Sequence, residues 1–352
     1  MKHSIHQDHR ELTYRIDDPF FLQHGEDPDL YLHRFEKIRA KVAADSAAAS
    51  AEVAALLASE ITRRRNGKPV VLGLATGSSP IGVYHELIRL HRNEGLSFRN
   101  VITFNLDEYY PMDPGSLQSY HRFMHEYLFD AIDILPENIH IPDGTVPREE
   151  VYRYCAGYEE SIRKAGGIDI QLLGIGRTGH IGFNEPGSPV NSMTRMVTLD
   201  HITRLDAASD FYGEANVPQN ALTMGIGSIL AARKVILMAW GENKAEIIRS
   251  AVEGEISGNV PASYLQEHPD ATIYLDHAAA EGLTRIRTPW LAGPCHWNDR
   301  LIRKGVVWLC KKTGKPILKL TDRDFNDNGM NDLLTAMGPS NKINIRVFND
   351  LQ

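Results

Sequence analysis

Short apolar runs punctuate this chain, each closed by small or polar residues: 70–74, 101–106, 168–173, 234–239 and 272–275. They are rich in β-branched and aromatic residues and too short for helices, which predicts buried strands. Residues 37–43 predict a first strand of the same kind. Asp45-Ser46 then offers a cap for a long alanine-rich helix, expected to run to about Arg65 and to stop at Asn66-Gly67-Lys68-Pro69. Strand and helix patterns alternate from there. That alternation predicts an α/β fold, an open, mostly parallel Rossmann-like sheet with helices on both faces (an α/β/α sandwich).

The two ends break the pattern. Residues 1–35 are polar and histidine-containing without clear periodicity, and read as an N-terminal extension lying on the surface or disordered. The alternating part is assigned to one domain, 36–290, and 291–352 to a C-terminal extension or linker segment. Within that tail, 305–310 looks like a strand or a helix end, 315–321 and 344–348 look strand-like, and 332–337 a short helix. Beyond the alanine run at 43–58, no repeat or low-complexity segment stands out.

Composition narrows the class. At 352 residues and 42% hydrophobic, the chain can bury a full core. Its 38 basic against 45 acidic residues give a net charge of -7, which argues against nucleic acid or an anionic membrane as partner. Three cysteines, Cys155, Cys295 and Cys310, are few, odd in number and widely spaced, as expected in a reducing cytoplasm without a disulfide frame. Cys295-His296 could suggest a metal site, but no partner spacing follows it. No stretch is long enough to span a bilayer, and the start, MKHSIHQDHRELTYR, lacks the apolar core of a signal peptide. A cytoplasmic protein is expected.

Candidate chemistry gathers at the ends of predicted strands. After 168–173 comes a glycine-rich turn, GIGRTGHIGFNEP, carrying His180 and Glu185. Open α/β sheets bind ligands at the carboxyl ends of their strands, and an imidazole beside a carboxylate can move protons near neutral pH. A surface histidine on an ordinary glycine turn is the alternative. FNLDEYY ends the strand at 101–106 with Asp107 and Glu108, candidates for general base work or for a solvated helix cap. LATGSSP, after 70–74, offers backbone N–H groups, hydroxyls and a helix start suited to a phosphate. It is neither a Walker A loop nor GxGxxG, so no nucleotide is implied.

Together these segments resemble the glucosamine-6-phosphate deaminase (isomerase) family. NALTMGIG (220–227) and GENKA (241–245), followed by AVEG (251–254), fit as well, and the resemblance covers roughly residues 36–290. The continuation HIGFNEP distinguishes the deaminases from sister lactonases on the same fold. The resemblance implies conversion of glucosamine 6-phosphate and water to fructose 6-phosphate and ammonia, with an amino-sugar phosphate as substrate and no metal or organic cofactor. It makes Asp107 the base that takes the C2 proton, His180 the group that moves the ring-oxygen proton, and Glu185 the partner of His180, with Glu108 supporting the turn. Gly77, Ser78, Ser79 and Lys244 would bind the phosphate, and 199–218 would be the lid.

Three departures from the family pattern follow. Thr178 stands where many members have Asp or Asn, which leaves the acidic help mostly to Glu185 and keeps Thr178 only as a hydrogen-bonding candidate. Ser209-Asp210 replace a lid arginine, for which Arg204 is the candidate substitute. Arg195 matches one cation of an allosteric pair, but Val197 takes the place of the other, which makes allosteric activation unexpected. The tail resembles the connecting segment of longer proteins in which a deaminase-like half precedes an LmbE-like deacetylase domain. The long ends leave a homo-oligomer open, and galactosamine 6-phosphate stays open as substrate. Two other readings are a non-enzymatic sugar-phosphate sensor on the same fold and a 6-phosphogluconolactonase-like hydrolase; FNLDEYY and FNEP speak against the latter.

Overall fold

The computed structural model describes residues 31–64 and 67–352. Most of the expected N-terminal extension, residues 1–30, and Arg65 and Asn66 at the expected helix end lie outside the described residues. The chain divides into two compact units, Lys37–Ala280 and Glu281–Gln352, the latter joined by the residues up to Glu36.

Every predicted strand of the first unit forms. β1 (Arg39–Val42), β2 (Val70–Leu74), β3 (Val101–Asn105), β5 (Ile139–His140), β6 (Ile170–Leu173), β9 (Lys234–Ala239) and β10 (Ala271–Leu275) make a seven-stranded sheet in the order β1-β10-β9-β6-β2-β3-β5. All its pairings are parallel. The helices α1 (Ser46–Arg63), α2 (Ile81–Glu94), α3 (Tyr120–Tyr127), α4 (Val151–Lys164) and α7 (Ala245–Glu253) connect the strands, with helices on both faces. Asp45 caps α1 as expected, accepting from the Ala48 N–H at 2.8 Å. On one face Val53, Leu57 and Ile61 of α1 and Val83, Tyr84 and Leu87 of α2 pack against Leu72, Leu172, Ile236 and Tyr274 of the strands. Burial of such side chains is the main stabilising term, about 1.5–3 kcal/mol each.

Two features position the site. The chain leaves β2 toward β3 on one side and leaves β6 toward β9 on the other, so the order of strand addition reverses between β2 and β6. Such a switch point opens a crevice at the carboxyl ends of the strands. The second feature is a small antiparallel sheet, β4-β8-β7, that the strand pattern did not anticipate. It consists of β4 (Asp107–Tyr110), β7 (Arg195–Thr198) and β8 (Asn220–Thr223). β3 passes through Leu106 straight into β4, and the Leu106 N–H still bonds to Leu74 of the large sheet at 3.0 Å. Asp107 therefore lies where the two sheets meet. Between β7 and β8 runs α5 (His201–Ala207), and α6 (Ile226–Leu230) follows β8.

The second unit is helical among its described residues, with α8 (Thr284–Arg287), α9 (Pro289–Ala292), α10 (Asp299–Thr313), α11 (Asp322–Asn326), α12 (Asn331–Met337) and α13 (Ser340–Asp350). The short helix expected at 332–337 is present as α12. Of the two readings at 305–310, the helical one holds and the strand does not, and the strand-like reading at 344–348 is corrected: both stretches lie inside helices, α10 and α13. The buried residues of α10, Leu301, Ile302, Gly305, Val306 and Leu309, follow a helical period and not an alternating one. The stretch 315–321 forms a single 3-10 turn, Ile317–Lys319, after Pro316. Trp290, Leu309, Phe325, Leu333 and Val347 share this unit's core. Cys155, Cys295 and Cys310 are all free. Among the described residues, no helix is long and apolar enough to cross a membrane, and no cluster of His, Cys, Asp or Glu could hold a metal ion.

Candidate active site

The loop after β6 folds into a compact turn because its glycines allow close approach. The His180 ring packs directly against Gly176: a Cβ there would fall 2.1 Å from the imidazole Cε1. Gly182 takes a left-handed backbone, φ +56°, and a Cβ there would be 3.4 Å from Asp107 Oδ2 and 3.0 Å from Thr223 Oγ1. The turn thus presses its backbone against the β4–β8 pair that carries Asp107. The same joint is laced by hydrogen bonds. The Phe183 N–H donates to Thr223 Oγ1 at 3.0 Å, and Asn184 Nδ2 donates to the carbonyls of Ile181 at 2.9 Å and Met224 at 2.8 Å.

Asp107 is buried, and among the described residues no cation or hydrogen-bond donor holds its carboxyl. Burial, with the neighbouring Glu108 adding to it, pushes its pKa up to about 8. Glu108 turns away into structure: its carboxylate accepts from the backbone N–H groups of Tyr109, Tyr120 and His121 at 2.9, 3.0 and 2.9 Å. Burial outweighs those bonds and leaves its pKa raised to about 7.

His180 and Glu185 form a pair, with Nδ1 3.2 Å from Oε2. Thr178 Oγ1 lies 2.9 Å from His180 Nδ1 and 3.4 Å from Glu185 Oε2, so it joins the pair. Two more contacts come from outside the turn. Thr203 Oγ1 on α5 donates to Glu185 Oε1 at 2.5 Å, and the Asp200 N–H reaches the same oxygen at 3.4 Å. Burial pushes the Glu185 pKa up, but the bonds from His180, Thr203 and Asp200 outweigh it and hold the group below its ordinary value. A proton carried on Nδ1 would face Thr178 Oγ1 and the carboxylate, which would leave Nε2 to exchange a proton.

The candidate phosphate groups come together in part. Gly77, Ser78 and Ser79 form the loop between β2 and α2, whose start has no side-chain cap, leaving its first N–H groups for a ligand. The Ser79 carbonyl accepts from Trp240 Nε1 at 2.9 Å, and Ser79 Oγ lies 3.5 Å from where a Gly174 Cβ would be. Lys244 Nζ reaches the same turn, donating to the Ile175 carbonyl at 2.8 Å. Burial lowers the Lys244 pKa; Asp206 opposes that and Arg177 adds to it. Arg204 is engaged elsewhere, 3.5 Å from the carboxylate of Glu214. Arg195 likewise serves the turn, donating to Asn184 Oδ1 at 2.9 Å and Ser188 Oγ at 3.2 Å.

Sequence reasoning missed Thr203, Thr223 and Arg177. Arg177 pairs with Asp206 of α5 at 2.5 Å. Its cue was present, a lone cation inside a glycine turn; for the two threonines only tertiary contact gives a signal. The segment 199–218 is fastened over this region by rings. Phe211 meets Tyr109 edge-on at 4.9 Å between centroids, and Tyr109 in turn packs on Phe183 at 5.3 Å.

The family described as glucosamine-6-phosphate isomerases/6-phosphogluconolactonase matches residues 44–274. A glucosamine-6-phosphate deaminase-like protein of Bacteroides thetaiotaomicron is 49% identical over 322 residues, 91% of this chain and 49% of that protein. The chain therefore spans about half the length of that relative. The glucosamine-6-phosphate deaminase of Shewanella woodyi is 50% identical over 236 residues, 67% of this chain and 89% of its own. A solved monomeric glucosamine-6-phosphate deaminase is 42% identical with a TM-score of 0.67, over 70% of this chain and 100% of that one. The 6-phosphogluconolactonase of Trypanosoma cruzi, at 22% identity and TM-score 0.57 over 70% of this chain and 97% of that one, shares the fold.

Proposed function

The chain belongs to the family of glucosamine-6-phosphate isomerases and 6-phosphogluconolactonases, and from that premise we propose that it converts glucosamine 6-phosphate and water to fructose 6-phosphate and ammonia. The observation that carries the reading is Asp107, a buried carboxyl with no cation or donor among the described residues, held against the turn that bears His180 and Glu185. Lactone hydrolysis has no use for such a base, whereas an aldose–ketose isomerisation requires one.

In this scheme Gly77, Ser78, Ser79 and Lys244 hold the phosphate. His180 Nε2 takes the proton of the anomeric hydroxyl and delivers it to the ring oxygen; the C1–O5 bond breaks and an aldehyde forms at C1. Glu185 steadies the imidazolium that exists between these two transfers, with Thr178 bonded to both groups. Asp107 then removes the C2 proton while the C2 ammonium gives a proton to O1, which leaves a 1,2-enolamine; returning a proton to C1 makes a C2 iminium. Water adds at C2 and the C2–N bond breaks, releasing ammonia and leaving the C2 ketone. A carboxyl with a pKa near 8 is mostly protonated at neutral pH, but the substrate's own ammonium at C2 favours the carboxylate once bound. No step calls for a metal or an organic cofactor.

We assign the reaction to amino-sugar catabolism in the cytoplasm, in line with the free cysteines. The chain would form the deaminase-like half of a longer protein, a reading supported by the relative of about twice its span. The test is to add glucosamine 6-phosphate and measure ammonia and fructose 6-phosphate. Both should appear in equal amounts, with no hydrolysis of 6-phosphogluconolactone. Binding without turnover would leave a sugar-phosphate sensor, and lactone hydrolysis alone would leave a lactonase.

A further inference from the structure

The Glu185 carboxylate is held from two independent sides. Its own turn reaches Oε2, through His180 Nδ1 at 3.2 Å and Thr178 Oγ1 at 3.4 Å. The segment 199–218 reaches Oε1, through Thr203 Oγ1 at 2.5 Å and the Asp200 N–H at 3.4 Å. Asp200 is itself fixed, since its side chain caps α5 by accepting from the Ile202 N–H at 2.8 Å. Thr203 is buried, and its hydroxyl also lies 3.5 Å from His180 Nδ1. One hydroxyl thus touches both members of the proton-transfer pair, and it comes from outside the turn that carries them.

This contact has a physical consequence. A glutamate ends in a carboxylate that rotates about broad torsions, so one contact leaves its plane poorly defined. With Oε1 anchored, Oε2 faces Nδ1 and the imidazole keeps its proton there, which leaves Nε2 for the sugar. Thr178 contributes no charge, so Glu185 is the carboxylate within reach of the ring, and its orientation decides which tautomer forms.

We propose that Thr203 is a positioning residue that locks Glu185 against His180, so that the ring-opening pair is complete only when the 199–218 segment covers it. The proposal rests on the deaminase reading, in which that pair opens the sugar ring.

The test compares Thr203→Val, which removes the hydroxyl and keeps the shape, with Thr203→Ser, which keeps the hydroxyl. Each is assayed on cyclic glucosamine 6-phosphate and on an acyclic analogue whose ring-closing hydroxyls are blocked. A hydrogen bond to a charged group is worth about 10–100-fold. Thr203→Val should lose that much kcat on the cyclic substrate, with KM within about threefold and turnover of the acyclic analogue nearly unchanged. Thr203→Ser should recover most of the loss. Equal losses on both substrates, or no recovery with serine, would reduce Thr203 to packing and overturn the proposal, as would unchanged kcat in Thr203→Val.

A second readout does not need turnover. Nitrogen NMR of the His180 ring should show the Nδ1–H tautomer in the parent protein and a mixture in Thr203→Val. An identical tautomer in both overturns the proposal even if no ammonia is released. Absence of turnover in the parent protein instead contradicts the deaminase reading.

Discussion

The two edges of the large sheet treat buried acids in opposite ways. At the amino edge, Asp169 is buried but fully engaged, with Arg233 at 2.6 Å, Arg64 at 3.0 Å and the Val71 N–H at 2.9 Å. At the carboxyl edge, Asp107 is buried to a similar degree, and among the described residues it has neither a cation nor a donor. Asn105 ends β3 two residues before it, and among the described residues neither atom of its buried amide has a partner. A charge taken out of water must be paired or give up its ionisation. The amino edge meets that requirement and is structure. The carboxyl edge leaves it unmet, which is how a site waiting for a polar, cationic substrate differs from a finished core.

If that contrast is right, the same chemical change at the two edges should have opposite consequences. Asp107→Asn should cut ammonia release by about 10²–10⁴-fold while substrate affinity stays within a few-fold. Comparable turnover in this variant would place the base elsewhere. Next in size, Lys244→Met should raise KM for glucosamine 6-phosphate by about 10–100-fold, because a charge-assisted bond contributes about 1.5–3 kcal/mol. Arg204→Ala should cost less, since Arg204 faces Glu214. An unchanged KM in Lys244→Met would move the phosphate to another place.

Asp169→Asn is the mirror experiment. It should leave kcat unchanged and lower unfolding stability by about 1–3 kcal/mol, because the amide cannot serve two guanidinium groups. Chemical denaturation measures this, and a loss of turnover at full stability would break the comparison.

The smallest effect is in pH dependence. As a base Asp107 works deprotonated, so kcat/KM should climb with pH through a value far above an ordinary carboxyl, near 8. Glu108→Gln removes the like charge and should move that limb to lower pH, by less than burial raises it. The stability effect has a definite sign. The folded-state pKa of about 8 exceeds the ordinary 3.8, so this contribution is full below about 4 and is lost as pH rises toward 8. Asp107→Asn should therefore gain on the parent protein between pH 5 and pH 8. A limb at an ordinary carboxyl value would contradict the burial argument.

Much of the carboxyl edge was legible in the sequence, because strands buried on both faces read as continuous apolar runs and glycine turns announce close backbone approach. His180, Glu185 and Asp107 stood at the ends of such runs. The small β4-β8-β7 sheet escaped because DEYY and NALT look like the ends of other elements until their antiparallel pairing is seen. Thr203 escaped for a similar reason: its contact to Glu185 spans eighteen residues and two elements. In the helical tail, the run at 305–310 is too short to separate strand from helix. Only the wider window, with Leu301, Ile302, Gly305, Val306 and Leu309 buried, carries the helical period.

The central claim is that the buried Asp107 carboxyl moves the substrate proton. Its most direct test is turnover in deuterated water, with the C1 position of fructose 6-phosphate read by NMR. The account predicts deuterium at C1 with the parent protein and none above background with Asp107→Asn. Deuterium entering C1 at the parent rate in Asp107→Asn would contradict it.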